Sequence, residues 1–250
     1  MCRHLAYVGA ATPLRPLLFD AEHSLTRQAA RPRFQLAGDD NPHGWGVAWY
    51  SEMDPTATGT APAVHHSTTP IWEDEVPPAL EQAQAVACVA AARLASPGTV
   101  EVDARNNAPF VSGLWSFSMN GWAFVDDPRR ERSLRDALTP ARAAALVGDT
   151  DSEVLFGLIL EHLDAGESPA ESVAKVNALV EPGPGVRANM LLTDGTRVIA
   201  TANGNSLFTK VSDEGVRLAS EPTEDPTSWK RVADLSIIEA DRDGMTIESL

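Results

Sequence analysis

The chain has 250 residues, 43% hydrophobic and 22% charged, with a formal net charge of −15 at pH 7. That length and apolar content supply ample core, and the charge argues against nucleic acid or anionic membrane as partners, since both require basic patches. Two cysteines, Cys2 and Cys88, cannot make a disulfide framework, and no leader or bilayer-spanning apolar stretch is evident, so a soluble cytoplasmic protein is expected.

The opening run MCRHLAYVG places Cys2 where removal of the initiator Met would make it the N-terminus. A terminal cysteine carries a thiol and a free α-amine on one residue. Their unperturbed pKa values, about 8.5 and about 7.7–8.0, are nearly matched. The amine can then serve as the base that a weak nucleophile needs. Leu5 to Val8 read as a buried strand ended by Gly9, with Cys2 and His4 on the same side. Apolar clusters and a helical turn after Ser24 follow, then a loop over 31–40. Asn41-Pro42-His43-Gly44-Trp45-Gly46 leads into the strand Val47 to Tyr50. The turn-rich stretch 51–63 is expected as a surface hairpin loop, with a strand over Val64 to Thr68 and a short helix within Glu75 to Gln82. Gln84 to Leu94 reads as a fully buried strand, which makes Cys88 a core residue. It runs into Arg93-Leu94-Ala95-Ser96. Asn106 to Phe110 precede the strand Leu114 to Ser118, which continues into Met119-Asn120-Gly121.

Two helices are announced by caps: Thr150-Asp151-Ser152-Glu153 before an apolar run, and Ser168-Pro169-Ala170-Glu171 before Val173 and Val176. The remainder alternates as a meander, with Asp194-Gly195 as a tight turn. Strands, paired helices and strands again predict an α+β chain with sheets packed in layers. No repeat or linker divides it, so a single domain over 1–250 is expected.

The opening Met1-Cys2, the Asn41 to Gly46 loop, Arg93 to Ser96, Asn106 to Phe110, Ser118 to Gly121 and Asp151 to Glu153 occur in one order along the chain. Together they resemble the class II glutamine amidotransferases, a branch of the N-terminal nucleophile hydrolases. MCRHLAYVG, Pro70-Ile71-Trp72 and Ala219-Ser220-Glu221-Pro222 are similar to one member group, the γ-glutamyl hercynylcysteine S-oxide hydrolases of ergothioneine biosynthesis. The resemblance implies a four-layer αββα sandwich of two antiparallel sheets. It also implies an amidohydrolase that cleaves a small-molecule γ-glutamyl amide through a Cys2 thioester.

Residue by residue, the resemblance makes Cys2 the nucleophile, with the Asn120 side chain and the Gly121 N–H as oxyanion donors. Arg93, with Ser96, would hold the substrate α-carboxylate and Asp151 its α-ammonium, while Asn41, His43, Gly44 and Trp45 would lie beside the nucleophile. Met119 stands where related proteins often carry His. Plainer readings stand next to these: an Asn-Gly turn, a strand-end arginine, a helix cap at Asp151, a turn residue at His43 and a core histidine at His4. A trimethylated, histidine-derived leaving group would favour aromatic faces and acidic neighbours. Trp45, Trp72, Trp115 and Trp122 are the candidates for that contact. No cofactor and no metal are expected, because His65-His66 lacks companions at ligand spacing. Two other functions compete: a glutaminase subunit feeding ammonia to a separate synthetase, and a binding protein that keeps Met1.

Overall fold

The computed structural model describes residues 2–51, 60–95, 102–124, 127–181 and 183–250. One sheet has seven strands. These are β1 (Arg3–Pro13), β2 (Trp45–Tyr50), β3 (Ala63–Ser67), β4 (Gln84–Ala92), β9 (Phe208–Ser212), β10 (Gly215–Ala219) and β11 (Lys230–Arg231), in the order β11-β9-β10-β1-β4-β2-β3. The other has six, β5 (Phe110–Ser112), β6 (Trp115–Trp122), β7 (Arg187–Thr193), β8 (Arg197–Ala202), β12 (Ser236–Asp241) and β13 (Gly244–Ser249), in the order β13-β12-β8-β7-β6-β5. Neighbouring strands with a described register run antiparallel.

Three apolar clusters define the layers. Ala6, Val8, Val89, Leu191, Ala200 and Ile238 fill the space between the sheets. Leu5, Tyr7, Trp45 and Cys88 pack outward beneath α1 (Leu25–Ala30) and α2 (Pro78–Glu81). On the far side Phe117, Met119 and Met190 meet Val154, Leu155, Ile159, Val173 and Val176 of α5 (Asp151–Asp164) and α6 (Pro169–Ala178). The arrangement is the expected α+β sandwich, helix–sheet–sheet–helix. Burial on both faces explains why β1 and β4 read as continuous apolar runs rather than alternating ones.

The caps fold as the sequence predicts, with one variation. Ser168 and Glu171 complete a reciprocal capping box. Thr150 accepts the Glu153 N–H at 3.3 Å, but the Glu153 carboxylate turns to the Val147 and Gly148 N–H groups at 2.9 and 2.7 Å instead.

Some boundaries differ from expectation. β1 does not stop at Gly9 but continues to Pro13, with a register shift between Val8 and Thr12. Gly9 is there for a close crossing, since a Cβ would sit 2.1 Å from the Glu214 carbonyl oxygen. Asn120-Gly121 is not a turn but lies within β6, paired to Asn189 and Ala188. Two helices without a sequence signal, α3 (Pro128–Ala137) and α4 (Pro140–Ala145), bury none of their residues and so show no apolar stripe. The expected hairpin loop over 51–63 falls mostly outside the described residues.

Candidate active site

The start of β1, the ends of β4 and β6 and the N-terminus of α5 converge on a cavity of about 230 Å³. Cys2, Arg93, Gly121 and Asp151 line it together, with Asn106, Trp122, Glu131 and Asp149 among the polar or aromatic walls. Residues from sequence positions more than a hundred apart are thus brought to one place. The alternation of β1 puts Cys2 on the inter-sheet side, in phase with His4, Ala6 and Val8. The Cys2 thiol is half-buried and points at the Leu94 carbonyl at 4.0 Å.

Arg93 follows β4 and is held by the loop before β2. Its N–H donates to the Gly44 carbonyl at 2.8 Å, its carbonyl accepts the His43 N–H at 3.0 Å, and the Ala95 N–H donates to His43 Nδ1 at 3.0 Å. An accepting Nδ1 requires the neutral ring, and burial followed by the Arg93 charge lowers the His43 pKa in the same direction. Gly44 is required there: its φ is +96°, and a Cβ would meet Asn107 Nδ2 and the Ser67 carbonyl oxygen at 2.3 Å. Arg93 Nη1 is buried with no hydrogen-bond partner among the described residues.

Asp151 occupies the first position of α5. One carboxylate oxygen accepts the Ala123 N–H at 2.8 Å and the other the Ser152 N–H at 2.8 Å. Thr150, not Asp151, is the cap, so the carboxylate is free of that duty and faces the cavity. Burial raises its pKa, against the lowering effect of these hydrogen bonds, and Glu131 adds to the rise.

The remaining expected site residues separate into groups. Gly121 lines the cavity, and a Cβ there would lie 2.0 Å from the Arg187 carbonyl oxygen. Asn120, one residue earlier, faces the other way and is fully buried; its amide donates to Ser220 Oγ at 3.3 Å and its carbonyl accepts Asn205 Nδ2 at 2.8 Å. Asn41, His43 and Gly44 do not line the cavity. They act behind it, Asn41 donating to the Ala29 carbonyl and to Gln35 Oε1. Trp45 is a fully buried core residue whose indole donates to Asp74 Oδ2 at 2.8 Å and packs edge-on to Phe19. Ser96 and Met1 lie outside the described residues.

Of the four tryptophans named from sequence, Trp122 alone lines the cavity. Trp72 faces another groove beside Phe19 and His23, and Trp115 packs against the outer helical core. Sequence reasoning did not find Glu131 or Asp149 as cavity residues. Glu131 sits in PRRERSLRDA, whose pattern reads as a solvated face, and only tertiary packing carries it to the cavity.

The family model for class-II glutamine amidotransferases matches residues 20–235. A gamma-glutamyl-hercynylcysteine sulfoxide hydrolase of Mycobacterium tuberculosis is 34% identical over 255 residues, covering 100% of this chain and 97% of the relative. The protein of that name from Mycolicibacterium smegmatis is 32% identical over 244 residues, covering 96% and 95%. Among solved structures, a glutamine aminotransferase class-II domain protein from Silicibacter pomeroyi superposes with a TM-score of 0.70 at 20% identity, covering 100% of this chain and 99% of the other. The glutamine phosphoribosylpyrophosphate amidotransferase of B. subtilis gives 0.70 at 14% identity, with 49% of its own chain covered. These two likenesses show the shared fold.

Proposed function

The chain belongs to the class-II glutamine amidotransferases, and from that premise we propose that it is an amidohydrolase releasing glutamate from γ-glutamyl hercynylcysteine S-oxide, in ergothioneine biosynthesis. The observation that carries the reading is one small cavity shared by a thiol, a guanidinium whose Nη1 has no partner among the described residues, and a half-buried carboxylate. Those groups match a γ-glutamyl head: Arg93 takes the α-carboxylate as a planar fork, Asp151 the α-ammonium, and Cys2 stands at the γ-carbonyl. At about 230 Å³ the cavity is smaller than the ~300–1,000 Å³ pockets that enclose drug-sized ligands. It therefore takes the glutamyl part and leaves the amine portion towards Trp122 and Glu131, an aromatic face and a carboxylate suited to a trimethylammonium group.

In this mechanism Met1 is removed, the freed α-amine of Cys2 accepts the thiol proton, and the sulfur attacks the γ-carbonyl carbon. The amine nitrogen leaves with that proton, and water then cleaves the thioester to give glutamate. Gly121 and Asn120 are the oxyanion donors. Gly121 already lines the cavity, and Asn120, which spends one amide hydrogen on Ser220 Oγ, has a second to give. In this reading the hydrolase acts in the cytoplasm and needs no separate synthetase.

The test is glutamate release by the purified protein alone, from a γ-glutamyl-cysteine-type amide and from free glutamine. Faster turnover of the amide is expected. Faster turnover of glutamine would instead favour ammonia supply to a separate synthetase. Intact mass is expected to show loss of Met1, and Cys2→Ala is expected to abolish hydrolysis while the fold stays near native.

A further inference from the structure

A buried ion pair behind the nucleophile is used by none of these steps. Arg3 and Glu221 are both fully buried, with Nη1 and Oε1 2.9 Å apart. The Glu221 carboxylate is fixed by further donors: the Arg33 N–H at 3.0 and 2.9 Å, the Phe34 N–H at 3.0 Å, and His23 Nε2 at 2.6 Å. Its own carbonyl accepts Gln28 Nε2 at 3.1 Å, and the same nitrogen donates to the His23 carbonyl. A carboxylate held from this many directions has one orientation, and it sets the guanidinium in turn. The other working edge of that guanidinium, Nε, donates to the Cys2 carbonyl at 2.8 Å.

We propose that Arg3 and Glu221 are a positioning pair for the nucleophile, acting through the Cys2 carbonyl. The strand ladder begins only at Arg3, paired to Ala92, so Cys2 lies beyond the last rung. A carbonyl held by its neighbour's side chain fixes the Cys2–Arg3 peptide plane and with it the Cys2 Cα. Two torsions, ψ and χ1, then separate the fold from the reacting sulfur and amine. Stability alone is a poor reason to keep such a pair, because a well-packed apolar replacement for a buried ion pair is often neutral or better. Placement is the better reason, since an ångström of displacement at a reacting atom costs on the order of a hundredfold in rate.

The inference rests on Cys2 being the nucleophile, and its test separates the two. Glu221→Gln and Arg3→Lys are prepared beside Cys2→Ala, with intact mass to verify removal of Met1. A lysine reaches Glu221 or the Cys2 carbonyl but lacks the fork that joins them. Reactive sites are counted by saturating labelling with a glutamine analogue bearing an electrophilic diazoketone. kcat is then expressed per labelled site, so that unfolded protein does not enter it. Both variants are expected to lose about tenfold to a hundredfold in kcat per site with KM changed less than about twofold. Wild-type kcat per labelled site, in whichever variant folds, overturns the positioning pair even if the melting temperature drops. Hydrolysis by Cys2→Ala overturns the nucleophile assignment instead.

Discussion

Arg93 is the one cationic side chain among the described residues lining the cavity, and its Nη1 is buried without a partner. Leaving a guanidinium nitrogen unsatisfied is costly, and under the proposed function the substrate α-carboxylate supplies the bond it lacks. Lysine keeps the charge but not the planar fork. Arg93→Lys is therefore expected to raise KM for a γ-glutamyl amide by about tenfold to a hundredfold, with a smaller change in kcat. Asp151 is the complementary case. Burial lifts its carboxyl above the usual range, and an α-ammonium is bound by the ionised form. As pH falls through that raised value the free enzyme loses its ammonium partner, so kcat/KM is expected to drop on an acid limb set higher than an ordinary aspartate would give. In Asp151→Asn the lower limb should disappear, leaving only the limb that the Cys2 α-amine imposes as the base, and kcat/KM should be low at every pH. A lower limb unchanged in that variant assigns the titration to another group.

The helix that presents Asp151 is held open by one hydroxyl. Thr150 caps α5 through the Glu153 N–H, and Thr150, Asp151 and Ser152 all line the cavity. Losing such a cap costs about 1 kcal/mol, a fall of roughly 2–4 °C in Tm for a chain of this size. Thr150→Ala is expected to show that fall together with about a tenfold loss of kcat/KM, because the frayed turn carries the substrate contact. Thr150→Ser should restore both. Ser168→Ala, which removes the equivalent cap of α6 away from the cavity, should lower Tm alike and leave kcat/KM unchanged. Equal activity losses in the two alanine variants would show that the site senses only global stability.

The caps were legible in sequence because capping is a local event. So was the β4 strand, whose burial on both faces leaves no polar residue between Ala85 and Ala92. What escaped was whatever depends on a distant neighbour. Asn120-Gly121 reads locally as a turn, but the glycine serves a close crossing with Arg187. Trp45 belongs to a site motif by order along the chain, yet its side chain points into the outer core, where Asp74 satisfies the indole. Glu131 shows nothing in its own helix that betrays a cavity wall. β13 went unread because its residues are mostly exposed and its pairing with β12 supplies the order that its own sequence does not.

At the scale of the whole molecule, the layer between the sheets is mostly apolar, with the Tyr50 hydroxyl bonded to Ser116 Oγ towards one end and a second polar group at the end nearest the candidate site. There His4 is fully buried, 3.4 Å from Ser118 Oγ through Nδ1, with Nε2 unpartnered among the described residues. Burial first, and the neighbouring Arg3 charge second, depress its pKa to about 3. The ring is therefore neutral in the fold at any pH where the enzyme works, whereas an unfolded chain takes up a proton below about 6.5. Between those values the unfolded state holds the extra proton. Stability then falls as pH is lowered, by at most about 1.4 kcal/mol per unit from this residue. The net charge of −15 at pH 7 works in the opposite sense, because acid relieves the mutual repulsion of the carboxylates. The wild-type curve alone is thus ambiguous, and the comparison must be with a variant lacking the imidazole. Denaturant unfolding of wild type and His4→Gln at pH 7.5 and pH 5.5 isolates the contribution. Wild type is expected to lose about 1 kcal/mol more than the variant over that interval. Parallel losses would mean that His4 is already charged in the fold, and that the space between the sheets is wetter than its apolar lining implies.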